Sequence, residues 1–476
     1  MKAQFIGCFI CFVAIASLYF QSIHAAPVSI KPTDGYLLGN SIRIDDNQIA
    51  IEGTANGKVA NDRKELQVTL SPSRGRQYVF LKPPANTYWD LRDYLAVKFT
   101  IRNSGTDPVT PVLRVESTTG ATDSITAEKA IANGETAEII VPFSAQKTWT
   151  NRDKKSGDKI ASDTVHTLEF SATPANGEQS MTILAAQAIV PRQESLPDWL
   201  GKRPPVDGDW TLTFEDNFNG DKIDEGKWHY YGDNYWDKSA HFSKDNTFVK
   251  DGFAHLRFEK KRGHHEDNPA KAETPYATGF LETYGKWTQR YGYFEARVKP
   301  PTAPGLWPAF WMMPDRGKDS VPNQTKPWDV KTIRQDTYRG GMEFDIYEFL
   351  TRWGPYRYNI ALHWDGIDKD HKMAGSDRVY SQPDKDGFLT CGLLWLPGQA
   401  VFYCNGREVL RYESDRVSNV QSGMIFTLPS GGWDNSPLDD KLLPDDFVID
   451  YVKVWQRKDL ATPEDGFHQD ANDSGK

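Results

Sequence analysis

The stretch "GGMEFDIYEFL", residues 340–350, carries Glu343, Asp345 and Glu348 within an otherwise apolar run. Moving an unpaired carboxylate out of water costs free energy, and carboxylates that lie close together also repel one another. The stretch is therefore either a strand with one solvated polar face or a place where the acids carry out chemistry.

The spacing of the acids predicts a β-bulge. Alternate residues of a strand share a face, so Glu343 and Asp345 point to one side, while strict alternation sends Glu348 to the other. One extra residue at Ile346–Tyr347 would return Glu348 to the side of the other acids, and bulges are common beside active sites. The Cα atoms of the two glutamates would then lie roughly 13 Å apart. Side chains that lean together could bring the carboxyls to the ~5–5.5 Å separation of a retaining glycosidase.

A retaining mechanism needs one ionised carboxylate and one protonated carboxyl. We predict that Glu343 is the nucleophile and that Asp345 holds it through a shared proton or a hydrogen bond. Glu348 is then the acid/base, with a pKa raised by neighbouring charge and by burial. On spacing alone, a solvated polar edge strand without chemistry remains the alternative.

Tryptophan content divides the chain into two regions. Only Trp89 and Trp149, of fifteen tryptophans, lie between residues 28 and 190, where strand-like segments alternate with turn residues and predict a small β-sandwich. The segment 191–208, "PRQESLPDWLGKRPPVDG", is rich in proline and predicts a linker. From Trp210 onward, segments such as "YGYFEARVKP" and "FVIDYVKVWQ" alternate apolar and polar residues, as in a large antiparallel sandwich.

A family resemblance covers residues 210–456. "EFDIYE" matches the bulged E-x-D-x-x-E signature of glycoside hydrolase family 16. Other segments on both sides of it resemble that family and occur in its order: "TFEDNFNG", "GLWPAFWMMP", "NIALHW", "YCNGREV" and "SGGWDN". The resemblance implies an all-β, concanavalin-like jelly roll whose open groove suits cutting within a chain. It also implies that Glu343 is the nucleophile, Asp345 its supporting acid and Glu348 the acid/base, with no cofactor required for catalysis.

Sugar sites combine aromatic platforms with polar side chains. Trp307 and Trp311 are four residues apart, hence on one face of a strand, and either stack on sugars or pack in the core. His363 and Trp364 point to opposite faces of a strand that family order places beside the acids, and we favour His363 for the groove. Further candidates lie in loops that the family uses as groove walls: Tyr231, Asn234, Trp236 and Trp433.

Two further sites are predicted. The family often holds a structural calcium ion, for which Asp450 and Gly252 are the matching positions, although Asp450 is equally explained as a polar residue at a strand start. A chain reversal at Pro397-Gly398 would make Cys391 and Cys404 direct cross-strand neighbours, close enough for a disulfide in an oxidising compartment.

The ends and the charge of the chain add expectations about location and partners. Residues 1–26 have the basic start, short apolar centre and small residues of a secretory signal peptide, which predicts a secreted or periplasmic protein without membrane attachment after cleavage. The alternative, a membrane anchor, would need a longer apolar run. The polar tail, residues 459–476, predicts disorder. A net charge of −9 without a phosphate-binding loop or a basic-aromatic array argues against nucleic acid as a partner.

We therefore predict a monomeric two-domain enzyme: residues 27–190 form an accessory β-sandwich and residues 209–458 a retaining endo-glycosidase. The accessory domain is a candidate carbohydrate-binding module, with Tyr88, Trp89 and Trp149 as its stacking candidates. The polysaccharide substrate is a β-1,3- or mixed-linked glucan or a β-galactan. A sulfated galactan is the alternative, for which Lys286, Arg290, Arg352 and Arg357 are candidate cations, and a non-catalytic jelly-roll glycan-binding protein is another.

Overall fold

The computed structural model describes residues 26–72, 75–153, 156–229, 239–265, 270–317, 335–433 and 435–468. Within these ranges the chain is built from β-strands and short 3₁₀ turns, with no α-helix. The all-β fold class predicted from the sequence is confirmed. No helix of the described residues has the length and apolar character needed to cross a bilayer.

The first domain contains two sheets of antiparallel character. Its strands are β1 (Val28–Ile30), β2 (Tyr36–Leu38), β3 (Ile49–Glu52), β4 (Asn56–Ala60), β5 (Glu65–Leu70), β6 (Tyr78–Leu81), β7 (Thr87–Trp89), β8 (Ala96–Asn103), β9 (Pro111–Ser117), β10 (Gly120–Ala121), β11 (Ile125–Thr126), β12 (Thr136–Pro142), β13 (Trp149–Thr150), β14 (Val165–Ala172) and β15 (Gln179–Ile189). Eight strands form one sheet around β14, six form the other around β8 and β15, and β13 belongs to neither. Alternation such as that of β5, with Leu66, Val68 and Leu70 buried, sends apolar side chains into the shared core.

The second domain is a larger sandwich. Its strands are β16 (Trp210–Asp216), β17 (Ala240–Phe242), β18 (Thr247–Lys250), β19 (Phe253–Phe258), β20 (Gly263–His264), β21 (Glu273–Thr274), β22 (Tyr276–Thr278), β23 (Phe280–Glu282), β24 (Trp287–Thr288), β25 (Gly292–Lys299), β26 (Ala309–Pro314), β27 (Glu343–Glu348), β28 (Arg357–Trp364), β29 (Lys372–Tyr380), β30 (Leu389–Leu396), β31 (Gln399–Cys404), β32 (Arg407–Glu413), β33 (Ser422–Thr427), β34 (Asp445–Arg457) and β35 (Gly466–Phe467).

Six strands of this domain, in the order β23-β33-β26-β27-β28-β29, form a sheet that contains the three acids and that we call the acid sheet. A nine-stranded sheet around β25 and β34 packs behind it. Phe344 of β27 and Trp395 of β30 meet in the core between the two sheets, with ring centroids 4.9 Å apart. Short 3₁₀ turns join several strands: Thr33–Gly35, Asp46–Gln48, Ser162–Thr164, Lys244–Asn246, Thr351–Trp353, Asp440–Leu442 and Lys458–Leu460.

The two domains interlock. Strand β13 of the first domain pairs in parallel with β32, so that Trp149 lies opposite Leu410. Strand β13 is the ninth strand of the nine-stranded sheet, whose other eight strands belong to the second domain. In the other direction, Tyr380 of β29 is buried in the core of the first domain. Its hydroxyl donates to the Ile160 carbonyl at 2.9 Å. Each domain therefore completes part of the other.

The segments predicted as a linker and a disordered tail are partly packed. Trp199, within the expected linker, lies 6.2 Å from both Tyr293 and Tyr403 by ring centroid. Strand β35 of the expected tail pairs with β24, and Phe467 stacks on Phe214 at 5.8 Å. Aromatic side chains in these polar segments pack against apolar side chains of the second domain. The polar composition of the segments does not predict this packing. The last part of the tail, residues 469–476, and the predicted signal peptide up to residue 25 lie outside the described residues.

The cysteine register is confirmed, because Cys391 and Cys404 are direct partners of β30 and β31. Their sulfur atoms lie 4.0 Å apart and both are buried free thiols. The predicted disulfide is therefore not formed in this structure.

Candidate active site

Strand β27 contains the predicted bulge. Against β28, Asp345 pairs with Ala361 and Glu348 with Asn359, so three steps on β27 oppose two on its partner. The register shifts at the same place against β26. The side chains of Ile346 and Tyr347 are both buried in the core as a result, and Glu343, Asp345 and Glu348 all line one cavity. The extra residue returns Glu348 to the groove side, as the spacing predicted.

Glu348 is held by two donors. The Asn359 amide donates to one carboxylate oxygen at 2.6 Å, and the Trp307 indole N–H donates to the other at 3.1 Å. The side chain is 7% exposed. Strand pairing positions Asn359, because it lies directly opposite Glu348 on β28. These contacts fix the orientation of the Glu348 carboxyl.

Asp345 contacts a histidine rather than the neighbouring glutamate. The Nε2 atom of His363 lies 3.4 Å from the Asp345 carboxylate, and its Nδ1 atom lies 2.8 Å from Nε2 of His371. Burial, together with the adjacent His371, lowers the pKa of His363 to about 4, so the ring is neutral at neutral pH. Within the described residues, Glu343 accepts no hydrogen bond. The predicted hydrogen bond between Asp345 and Glu343 is therefore not seen.

Burial raises the pKa of all three carboxyls. That of Glu343 is raised to about 8, with repulsion from Glu348 adding to burial, and that of Asp345 is raised well above its usual value. The pKa of Glu348 is raised to about 7, since donation from Asn359 and Trp307 partly offsets its burial. Burial therefore favours the protonated forms near neutral pH, and a protonated carboxyl can exist beside an ionised one.

The cavity over the acids has a volume of about 660 Å³. Its lining combines the acids with aromatic, polar and charged side chains from both domains: Trp149, Asp158, Lys159, Trp307, Glu343, Asp345, Glu348, Asn359, His363, Met373, Gly375, Ser376, Asp377, Arg378 and Trp433. Aromatic faces beside carboxylates and hydrogen-bonding groups are the chemistry that a sugar site requires.

Comparison with known proteins identifies the second domain. Residues 234–453 match the family model described as glycosyl hydrolases family 16. The second domain belongs to this family. The matched range contains the acid motif and the bulged strand that carries it.

The individual relatives share only about a quarter of their residues with this chain over the aligned range. The chain is 25% identical over 269 residues to endo-1,3-1,4-beta-glycanase EglC of Rhizobium meliloti, covering 52% of this chain and 51% of that protein. It is 26% identical over 303 residues to glucan endo-1,3-beta-glucosidase A1 of Niallia circulans, covering 58% and 42%. The chain therefore spans about half the length, or less, of these relatives. The solved structure of LamAcat from Zobellia galactanivorans has a TM-score of 0.43 and 23% identity, covering 52% of this chain and 98% of that one.

Several predicted contact residues line the cavity of the family 16 domain. Trp307, His363 and Trp433 do so, and Trp307 and Trp433 meet edge to face at 5.6 Å. Trp364 points into the core, where its ring centroid lies 5.6 Å from that of Tyr412. Neighbouring residues of a strand point to opposite faces, so His363 faces the cavity while Trp364 does not. The predicted loop residues Tyr231, Asn234 and Trp236 lie outside the described residues.

Trp311 does not line this cavity, although it lies opposite Asp345 on β26 and is partly exposed, so its contact with a sugar stays a prediction. It packs against a separate apolar cluster that includes Phe280 and Ile425, and its indole N–H lies 3.3 Å from the Thr427 hydroxyl. Trp307 precedes β26, whereas Trp311 lies within it, so the four-residue spacing of a regular strand does not apply to the pair. Only Trp307 lines the cavity.

Sequence reasoning missed Asn359, Ser376 and Arg378 among the lining residues. Asn359 could have been recognised from the sequence, because it lies four residues before His363 on the same strand and therefore points to the same face. Ser376 and Arg378 belong to the next strand, β29, which the sequence did not distinguish from other polar strands. The lining residues Lys159 and Asp158 come from the first domain, which was expected to be a separate module.

The residues proposed for calcium do not fit the ion well. Asp450 accepts a hydrogen bond from the Arg297 guanidinium, which also pairs with Asp384. A carboxylate that is already neutralised by a guanidinium is a poor ligand for a hard cation. Among the described residues, no cluster of three or more His, Cys, Asp or Glu side chains suits a metal. Calcium binding through Asp450 and Gly252 stays an untested prediction.

Proposed function

We propose that this chain is an endo-acting, retaining glycoside hydrolase that cleaves a neutral β-1,3- or mixed-linked glucan. The observation that carries the proposal is the bulge in β27, because it brings Glu343 and Glu348 into one cavity with Asp345 between them along the strand. The names of the two curated relatives, an endo-1,3-1,4-beta-glycanase and a glucan endo-1,3-beta-glucosidase, support this substrate class.

The reaction would proceed by double displacement. The ionised Glu343 carboxylate attacks the anomeric carbon while protonated Glu348 gives its proton to the departing glycosidic oxygen. This step forms a glycosyl ester on Glu343 and releases the first product. Glu348, now ionised, removes a proton from water, which attacks the same carbon and frees Glu343.

Before the sugar binds, burial raises the pKa of both glutamates, whereas these roles need an ionised Glu343 beside a protonated Glu348. The transition state favours this arrangement, because positive charge at the anomeric carbon stabilises an ionised Glu343. Departure of the glycosidic oxygen also draws the proton away from Glu348. The neutral His363 beside Asp345 adds no positive charge that would favour ionised acids in the free protein.

The four basic residues predicted as cations for a sulfated substrate do not line the cavity. Lys159 and Arg378 do line it, and Arg378 pairs with Asp377 at 2.8 Å, which favours a neutral substrate. Lys286 is buried and donates to the Glu225 carbonyl, while Arg357 lies 3.0 Å from the Asp377 carboxylate. Neither these two nor Arg290 and Arg352 are among the lining residues of the cavity. A non-catalytic glycan-binding protein would have no need for a bulge that collects three buried acids.

The full chain and its Glu343→Gln and Glu348→Gln variants should be compared on laminarin, lichenan, agarose and carrageenan. We expect the wild type to release reducing ends from laminarin or lichenan, with retained anomeric configuration by NMR, and each variant to lose at least a thousandfold in rate. Glu273→Gln is the matched control, since Glu273 pairs with Arg262 at an exposed site. Hydrolysis by either groove variant at the wild-type rate would disprove the assignment.

We also propose that the protein is exported after removal of residues 1–26. The support is the pattern of charged, apolar and small residues at its start. The mass of the chain recovered from its native host tests this, since an intact mass that includes residues 1–26 contradicts cleavage.

A further inference from the structure

The first domain reaches the cavity of the family 16 domain. Trp149, Asp158 and Lys159 lie in the segment from β13 to the start of β14, and all three line the cavity that contains the acids. Beyond the acids, the acid sheet continues through β28 to β29, whose residues Met373–Arg378 contribute much of the remaining lining. The first domain therefore forms the wall beyond β29, while Trp307 and Trp433 stand on the β26 and β33 side.

Several contacts fix this wall in place. The Asn151 amide donates to the Glu413 carbonyl at 3.0 Å and accepts from the Glu413 N–H at 3.0 Å. Asp158 accepts a hydrogen bond from the Tyr380 N–H at 3.0 Å and lies 3.5 Å from Arg407. These contacts all join the first domain to the second, so the segment is not a tethered module that moves independently of the acids.

Trp149 itself is held by close packing. It contacts the core of the second domain, and a Cβ at Gly157, which has φ +81°, would lie 2.5 Å from the Trp149 Cβ. Only glycine allows the segment to approach so closely in that conformation. The indole nevertheless remains partly exposed on the cavity side.

The charged groups near this tryptophan are balanced. Arg378 pairs with Asp377 at 2.8 Å, and its Nε donates to the Thr119 hydroxyl of the first domain. Asp158 lies 3.5 Å from Arg407, so its charge is balanced as well. An aromatic face among hydrogen-bonding groups with little net charge suits an uncharged sugar ring rather than an anionic one.

We propose that Trp149 forms a sugar-binding subsite of the groove on the β29 side, where it stacks on a neutral sugar unit remote from the bond that is cut. The first domain is then part of the substrate-binding surface of the hydrolase. This inference rests on the proposed function, since it assumes that a β-glycan chain crosses the acids.

The test uses the full chain with Trp149→Leu, which removes the indole face but keeps an apolar side chain for packing. Initial rates are measured on laminari-oligosaccharides of two to eight units, or on the matching series from lichenan if that is the polysaccharide cleaved. We expect kcat/KM to fall about tenfold for chains long enough to reach the subsite and to stay within twofold of wild type for the shortest chains that are cleaved. Binding of the longest chain to the Glu343→Gln variant should weaken by a similar factor when Trp149→Leu is added.

Trp210→Leu is the matched control, because Trp210 is also partly buried but packs in a cluster behind the nine-stranded sheet. It should leave the length dependence unchanged. A loss in Trp149→Leu that is equal for all chain lengths would indicate a structural role and overturn the subsite, as would no loss at any length. If the wild type cleaves none of the polysaccharides, the proposed function fails instead, so the two failures are distinct.

Discussion

At the scale of single residues, the environment of Glu348 determines when it can act as an acid. Its carboxyl is buried, which favours the protonated form, and it accepts hydrogen bonds from Asn359 and Trp307, which favour the ionised form. The balance leaves a pKa of about 7, where a group can both give and take a proton near neutral pH.

Asn359→Ala should move the pH profile. Loss of the Asn359 donor raises the pKa of Glu348, because a hydrogen bond to the ionised form is removed. The acid step needs protonated Glu348, so activity falls as pH rises through this pKa, and a higher pKa moves the alkaline limb of kcat to higher pH. A hydrogen bond to a charged group contributes about 1.5–3 kcal/mol, hence a shift of about one pH unit or more.

The measurement is kcat between pH 5 and 10 on the preferred polysaccharide. Ser376→Ala, which also alters the cavity lining but has no contact with Glu348 in the described structure, is the control and should leave the limb in place. An alkaline limb that moves to lower pH in Asn359→Ala would contradict the role given to Asn359.

At the scale of elements, the bulge in β27 adds a residue whose side chain must be accommodated in the core. Tyr347 takes this position with its ring 5.1 Å from that of Tyr358, and it is fully buried. Its hydroxyl has no hydrogen-bond partner among the described residues. The bulge therefore combines a functional arrangement of acids with an unsatisfied polar atom.

Tyr347→Phe should stabilise the protein. Removing a buried hydroxyl that has no partner relieves a desolvation cost of about 1–3 kcal/mol, while the ring and its packing remain. Chemical denaturation should show a free energy of unfolding raised by about 1 kcal/mol, with activity retained because the positions of the acids do not change.

Tyr293→Phe provides the contrast, since the Tyr293 hydroxyl donates to the buried Glu295 carboxylate at 3.0 Å. That variant should lower the free energy of unfolding. A Tyr347→Phe protein that is less stable than wild type would show that the hydroxyl has a stabilising partner.

At the scale of the whole molecule, each domain packs an aromatic side chain against the core of the other, and this couples the two sandwiches. Trp149 of the first domain contacts the core of the second, and Tyr380 of the second is buried in the core of the first. Tyr380 is 2% exposed, its ring packs against Phe143 at 5.8 Å, and its hydroxyl accepts from the Ser162 N–H at 3.1 Å. An aromatic side chain inserted in the core of the neighbouring domain makes the unfolding of one domain costly for the other.

We expect a single calorimetric transition for the wild-type chain. Tyr380→Ala should lower the free energy of unfolding by about 3–5 kcal/mol, as for other large-to-small changes in a core, and should separate the transition into two. Tyr380→Phe keeps the ring and should retain a single transition with a smaller loss. Two separate transitions in the wild type would contradict the coupling.

The sequence by itself determined the fold class, the position of the bulge and the pairing of Cys391 with Cys404. These features follow from local alternation and from the distance between residues along one strand or one hairpin. Because the side-chain period of a strand is two, the odd spacing of Glu343 and Glu348 already required an extra residue if both were to face the groove.

Only the tertiary structure decided which other residues surround the acids. The sequence pattern does not distinguish Trp307 from Trp311, yet Trp307 lines the cavity and Trp311 packs against an apolar cluster. Trp149 lies far from the acids in sequence and reaches their cavity because β13 pairs with β32. Such contacts depend on the docking of surfaces distant along the chain, for which local periodicity contains no information.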